Sequence, residues 1–334
     1  MNSDKRINET FVPTTRRPMA LFYALTIAIP VMIMLTMALT PGVWDWLYGN
    51  GRTFAYPDAA LEAAQRLGYN QVTTNLIERV PAAFIEPVLW MPLIYAGAPT
   101  IGAIITILLL GKSGAFRTFL GRFNPLRNGL SLATAFKYYA ILIALVFATR
   151  FVLFIFGGVE LIDWTSIISA SSLYAFVVYA LVNQGGLLEE CGWRTFALPY
   201  LQDHMSTPLA ASLLLGLLWA LWHFPIGIAQ WDQSLFAFVM EYGLFTAGAI
   251  AMSVLITFFF NTLGGSVWPA IIFHGLVNQT FDMKEALENA HEYPAFLNQP
   301  ITSWALYLVL IVAAFLVLKL TGSRLGMPVE EHAV

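Results

Sequence analysis

Charge is scarce in this chain: Asp, Glu, Lys and Arg make up 11% of 334 residues, against roughly a quarter in a soluble domain. The scarcity excludes an ordinary water-soluble fold. The apolar 58% is not spread as one large core but gathered into separate runs of about 20 residues, the length that crosses a bilayer's hydrocarbon. Cysteine is almost absent, and with Cys191 alone no internal disulfide can form. Internal repeats and low-complexity tracts are also missing, and no nucleic-acid partner is expected. What remains is an all-α, polytopic membrane protein whose first partner is the lipid bilayer.

Eight spans are predicted, at about 19–40, 83–111, 135–157, 166–184, 206–226, 236–260, 266–281 and 302–320. The first follows Lys5, Arg6, Arg16 and Arg17 and is longer than the apolar stretch of a cleaved signal, so it is expected to stay as a helix. The second contains Glu86, Pro87, Pro92 and Pro99, which predicts a kink or a partly re-entrant course. The seventh is short and suits a helix packed inside the bundle.

Basic residues alternate between loops. Lys112, Arg117, Arg122 and Arg127 fall with Arg194, Lys319 and Arg324 on the side of the N-terminus. Arg52, Arg66, Arg79 and Lys284, mixed with acids, fall opposite. By the positive-inside rule both termini are cytoplasmic, and the loop with Glu189 and Glu190 lies at the cytosolic side. The external 41–81 loop, with "DAALEAAQRLGYNQVTTNLIERV", is moderately amphipathic and is expected to pack on the external face. This divides the chain into an N-terminal membrane region (1–134), a core (135–325) and a short cytoplasmic tail (326–334).

Ionisable groups within spans are costly and mark function by default: Glu86, Arg150, His223, Glu241 and His274. Arg150 and Glu241 are expected to form an interhelical ion pair rather than a proton path. In "LLEECGWRTF" the adjacent acids of a helix point about 100° apart. Glu190 and Arg194, four residues apart, suit an ion pair, which leaves Glu189 free to act as a base on water. On spacing alone, a helix-end ion pair that only anchors the bundle explains the stretch as well. In "FHGLVN", His274 and Asn278 share a face and can aim N–H donors at one point, as an oxyanion requires. Interhelical hydrogen bonding is the plainer reading of that pair. His223, in "LWALWHFPIG", ends the fifth span.

Three blocks in order carry a resemblance: "EECGWR" fits EExxxR, "WALWH" an aromatic-xxx-His, and "HGLVN" HxxxN. Over about residues 165–282 the chain resembles the type II CAAX prenyl endopeptidases, also described as CAAX-protease and bacteriocin-processing (CPBP), or Abi, proteins. Together the three ordered blocks are specific, although each alone is weak. The resemblance implies an intramembrane endopeptidase of eight helices in a prokaryotic cell membrane, with its polar site facing the cytosol. Its partners would be peptide or lipidated-protein substrates. Glu189 would activate water with help from His223, His274 and Asn278 would stabilise the oxyanion, and Glu190 and Arg194 would support the pocket. Trp219 stands where phenylalanine is commonest, and Thr195 where a glycine often follows the arginine. Neither change removes a group the chemistry needs.

Zinc or another divalent metal, if present, would use Glu189, His223 and His274, since catalytic zinc takes three such ligands and keeps a position for water. HExxH is absent, however, and "HEYPA" at His291 lacks the second histidine. Water activated without an obligatory metal is the expectation.

Other chemistries fit less well. "GKSG" at Gly111–Gly114 matches the rhomboid GxSG, but there the His–Asn pair precedes the serine, whereas here it follows. Cys191 lies beside two acids, which disfavour its thiolate. The presenilin-type GxGD is absent. A non-enzymatic scaffold, an immunity protein or a transporter with a structural polar pocket is the alternative from another class. No two-half repeat of the transporter kind is present.

Overall fold

The structure, a computed structural model, describes residues 17–39, 65–67, 74–86, 89–112, 114–157, 169–229, 234–290 and 300–328. Lys5, Arg6, Arg16, Ser113, His291 and most of the 41–81 loop lie outside them. The described residues form helices, as they must where lipid offers backbone groups no partner. They are α1 (Arg17–Leu39), α2 (Leu76–Ile85), α3 (Trp90–Leu110), α4 (Ala115–Gly121), α5 (Leu132–Gly157) and α6 (Ala170–Val182). A compound α7 follows, built of Gly185–Glu189, Glu190–Gly192, Trp193–Ala197 and Leu198–His204, and then α8 (Pro208–Ala229), α9 (Leu235–Thr262), α10 (Trp268–Ala290) and α11 (Pro300–Thr321).

Among these, α1, α3, α5, α8, α9 and α11 are long and apolar enough to cross a bilayer. The chain is a polytopic helical membrane protein. The two other predicted spans differ from expectation. The fourth is the 13-residue α6, because the apolar run is broken at Asn183. The seventh is not short, for α10 continues to Ala290 through the polar "DMKEALEN".

The predicted break in the second span falls at Glu86, which is extended. The preceding helix is capped by Asn75, whose side chain accepts from Glu78 N at 3.0 Å. That cap is buried and Arg79 is 1% exposed, so the end of the 41–81 segment is inserted between helices rather than laid on a surface.

Helix α10 is the hub. It packs against α5, α6, α9 and the first turn of α7, while α3 packs against both α1 and α7. Close approach to α6 depends on Gly275, where a Cβ would lie 2.0 Å from Tyr179 O. The expected Arg150–Glu241 pair is not formed. Arg150 instead reaches across to α10, with Nη2 donating to Gln279 Oε1 at 2.6 Å and Nε to Thr280 Oγ1 at 3.2 Å. It also stacks on Phe176 at 5.3 Å. Neutral acceptors and a ring face satisfy this buried cation without a carboxylate.

Candidate active site

The site begins where the apolar run fails. Asn183 is extended (φ −63°, ψ 140°) and pairs with Asn75 in an isolated antiparallel bridge, while Gln184 N donates to Thr74 O at 2.8 Å. The Asn183 side chain makes three hydrogen bonds. Its Oδ1 accepts from Gly186 N at 3.1 Å and from Asn278 Nδ2 at 3.0 Å, and its Nδ2 donates to Thr74 Oγ1 at 2.9 Å. Asparagine is suited to start a helix in this way. It also fixes which way Asn278 points. The chain then runs in two wide π turns, Gly185–Glu189 and Trp193–Ala197, about a short α-helical piece, Glu190–Gly192. Such turns are rare and are frequent at functional sites.

The stretch predicted as a cytosolic-side loop is therefore helical. It meets α8 at Trp219, twelfth of the 22 residues in Pro208–Ala229. The acids thus lie level with the middle of an apolar helix rather than at its end.

The two acids have separate partners. Glu190 is fully buried, with Oε2 3.1 Å from Arg194 Nε and Oε1 2.9 Å from His274 Nδ1. Removing one member of such a buried pair costs about 3–5 kcal/mol. Glu189, 6% exposed, accepts the Trp219 indole N–H on Oε2 at 2.9 Å. Thr195, at the position of the missing glycine, is buried and returns its hydroxyl to Cys191 O.

His223 Nδ1 lies 3.0 Å from the carbonyl of Trp219, one turn back. A carbonyl only accepts, so Nδ1 carries the proton and Nε2 of the neutral ring is left with its lone pair. Trp219 thus holds Glu189 with its indole and His223 with its backbone. The guanidinium of Arg194 stands 5.9 Å over the same indole.

Three polar atoms converge in front of Gly185. A Cβ there would lie 2.6 Å from Asn278 Nδ2, 2.9 Å from His274 Nε2 and 3.2 Å from Glu189 Oε1. The space exists because this residue has no side chain. Two donor-capable nitrogens and the carboxylate oxygen not claimed by Trp219 therefore face one small volume.

A cavity of about 260 Å³ adjoins it. Thr74, Trp219, His223, His274, Asn278 and Asp282 supply its polar lining. Phe245, Met252, Phe281 and Tyr307, from α9, α10 and α11, form the apolar wall opposite.

All six residues singled out in the sequence thus lie in one cluster. The three donors considered for a metal, Glu189, His223 and His274, are not gathered into a metal-holding group, and no other three His, Cys, Asp or Glu are so gathered among the described residues. Trp219 accounts for this, since its rings pack edge-on against His223 and His274 at 5.5 and 5.2 Å. Sequence reasoning missed the roles of Thr74, Asn183, Gly185 and Trp219. For Asn183 a signal existed: an asparagine before Gln-Gly-Gly is a helix-start and breaker pattern.

Residues 169–280 match the family model described as "Type II CAAX prenyl endopeptidase Rce1-like". The chain is also similar to the "CAAX prenyl protease 2" of Methanococcus maripaludis, with 29% identity over 182 residues. That alignment takes in 52% of this chain and 66% of the relative, slightly less than two thirds of the relative's length. The stretch 169–280 that matches this family model contains Asn183, Gly185, Glu189, Glu190, Arg194, Trp219, His223, His274 and Asn278.

Proposed function

We propose that the chain is a membrane endopeptidase that hydrolyses peptide bonds in membrane-associated proteins or peptides, with CAAX-type C-terminal segments as the first class to test. The convergence of Glu189 Oε1, His274 Nε2 and Asn278 Nδ2 in front of Gly185 carries this reading. Glu189 Oε1 takes a proton from water, His223 Nε2 assists as a second acceptor, and the water oxygen bonds to the scissile carbonyl carbon. The carbonyl oxygen gains the charge and accepts from Asn278 Nδ2–H and His274 Nε2–H. The C–N bond then breaks, and the proton held by Glu189 leaves on the amine.

For His274 to donate from both nitrogens its ring must be the imidazolium, with Glu190 on the far side. The ionised cluster is then balanced, Glu189 and Glu190 against Arg194 and His274. A buried site at mid-helix depth favours such neutrality.

The relative's name supports a CAAX-type substrate. No metal is obligatory in this scheme, because each step uses a named side chain. The scheme predicts that purified protein cleaves a prenylated or unprenylated CAAX peptide, with products identified by mass spectrometry. Chelator should leave the rate unchanged. Glu189→Gln, expressed at the normal level, should lose at least about 100-fold, the lower bound for a general base. Cleavage by Glu189→Gln at the unaltered rate would sink the mechanism, and loss of activity with chelator would sink its metal-free form.

A further inference from the structure

A second cavity, of about 360 Å³, lies away from the acids at the ends of α7 and α9. Its volume is within the range of small-molecule sites, roughly 300–1,000 Å³. Arg122 and Arg127 line it, 8% and 7% exposed, and Gln202, Asn261 and Asn128 add amide groups. Asp203 is the one acid in the wall. Met327 and Pro328 complete the rim, braced by Arg324, whose guanidinium donates to both their carbonyls. Two nearly buried arginines in a polar cavity where apolar helices end is the arrangement that receives an anionic headgroup.

We propose that this cavity binds the phosphate-bearing group of an anionic molecule, either a lipid headgroup or free phosphate, between Arg122 and Arg127. The site is wired to the catalytic helix. Arg122 Nη1 donates to Gly265 O at 3.2 Å, and Asn128 Nδ2 donates to Gly264 O at 2.9 Å. Val267 N donates to Arg122 O at 2.9 Å, and Trp268 Nε1 to Phe123 O at 2.7 Å. Residues 122–128 therefore clamp the start of α10, which carries His274 and Asn278. An anion held between the two arginines adds a further tie to this clamp.

The test needs no substrate. The full chain is placed in nanodiscs of phosphatidylcholine alone, or of phosphatidylcholine and phosphatidylglycerol in equal parts, at one ionic strength. Thermal unfolding and amide exchange are then measured. A midpoint a few degrees higher with phosphatidylglycerol, with slower exchange over 264–268, is expected. Inorganic phosphate added to the detergent-solubilised chain distinguishes the sources. A rise with phosphate alone marks free phosphate as sufficient, and a rise only in anionic discs marks the lipid headgroup. Arg127→Gln should remove the rise. If that variant does not fold, Met327→Glu, which adds a carboxylate at the rim and leaves both arginines in place, should do the same. Equal midpoints in every medium, or a rise that survives Met327→Glu, would overturn the proposal.

Discussion

Trp219 joins the two side chains proposed to act on water through two different atoms, its indole nitrogen on Glu189 and its carbonyl on His223. The indole bond selects which carboxylate oxygen is free, because Oε2 is claimed and Oε1 is left facing His274 and Asn278. Trp219→Phe keeps the backbone hold on His223 and removes only the donor. A hydrogen bond to an ionised group is worth about 1.5–3 kcal/mol, so kcat should fall by about tenfold or more while KM moves far less. An unchanged kcat in steady-state assays would show that Glu189 is positioned by something else. An aromatic at this place reads in the sequence as packing, since an indole N–H announces no partner until the fold brings one from 30 residues away.

At the scale of elements, the junction between α6 and α7 decides the site. Asn183 starts the helix that carries both acids and also orients Asn278 on α10. Asn183→Ala should therefore lower stability by about 1 kcal/mol, as loss of a helix-start residue does. It should lower the cleavage rate by more than that loss of folded protein explains, which paired melting and rate measurements would separate.

What the sequence made legible here was local. The Glu190–Arg194 pair follows from i,i+4 spacing, and the separate partners of the two acids follow from their adjacency on a helix. The shared use of Glu190 by His274 was not legible, because the two are 84 positions apart and spacing rules end after one turn. Nor was the partner of Arg150, since composition shows a costly charge without showing that an amide, a hydroxyl and the Phe176 ring stand nearby. The length of α10 was missed because polar residues ended the hydropathy signal before they ended the helix.

Over the whole molecule, α1 and α3 cover one side of α7 while α10 closes the other, so the acids are enclosed by apolar helices. The positive-inside rule makes the basic 112–134 segment an expected cytosolic one, and that orientation is open to a direct test. Cys191 is the sole cysteine of the chain and is buried, which makes labelling backgrounds low. Arg117→Cys, at an exposed position, should react with an impermeant maleimide in inverted vesicles and not in intact cells. The reverse pattern would place both the segment and the anion cavity on the outside.

The bare backbone at Gly185 leaves room for the attacking water of the proposed mechanism. The volume in front of it is walled by an amide, an imidazole and a carboxylate, 2.6, 2.9 and 3.2 Å from where a Cβ would stand. In that mechanism, direct attack by water leaves no acyl-enzyme to be intercepted. Hydroxylamine or methanol added during turnover should therefore give neither hydroxamate nor methyl ester, only the free acid.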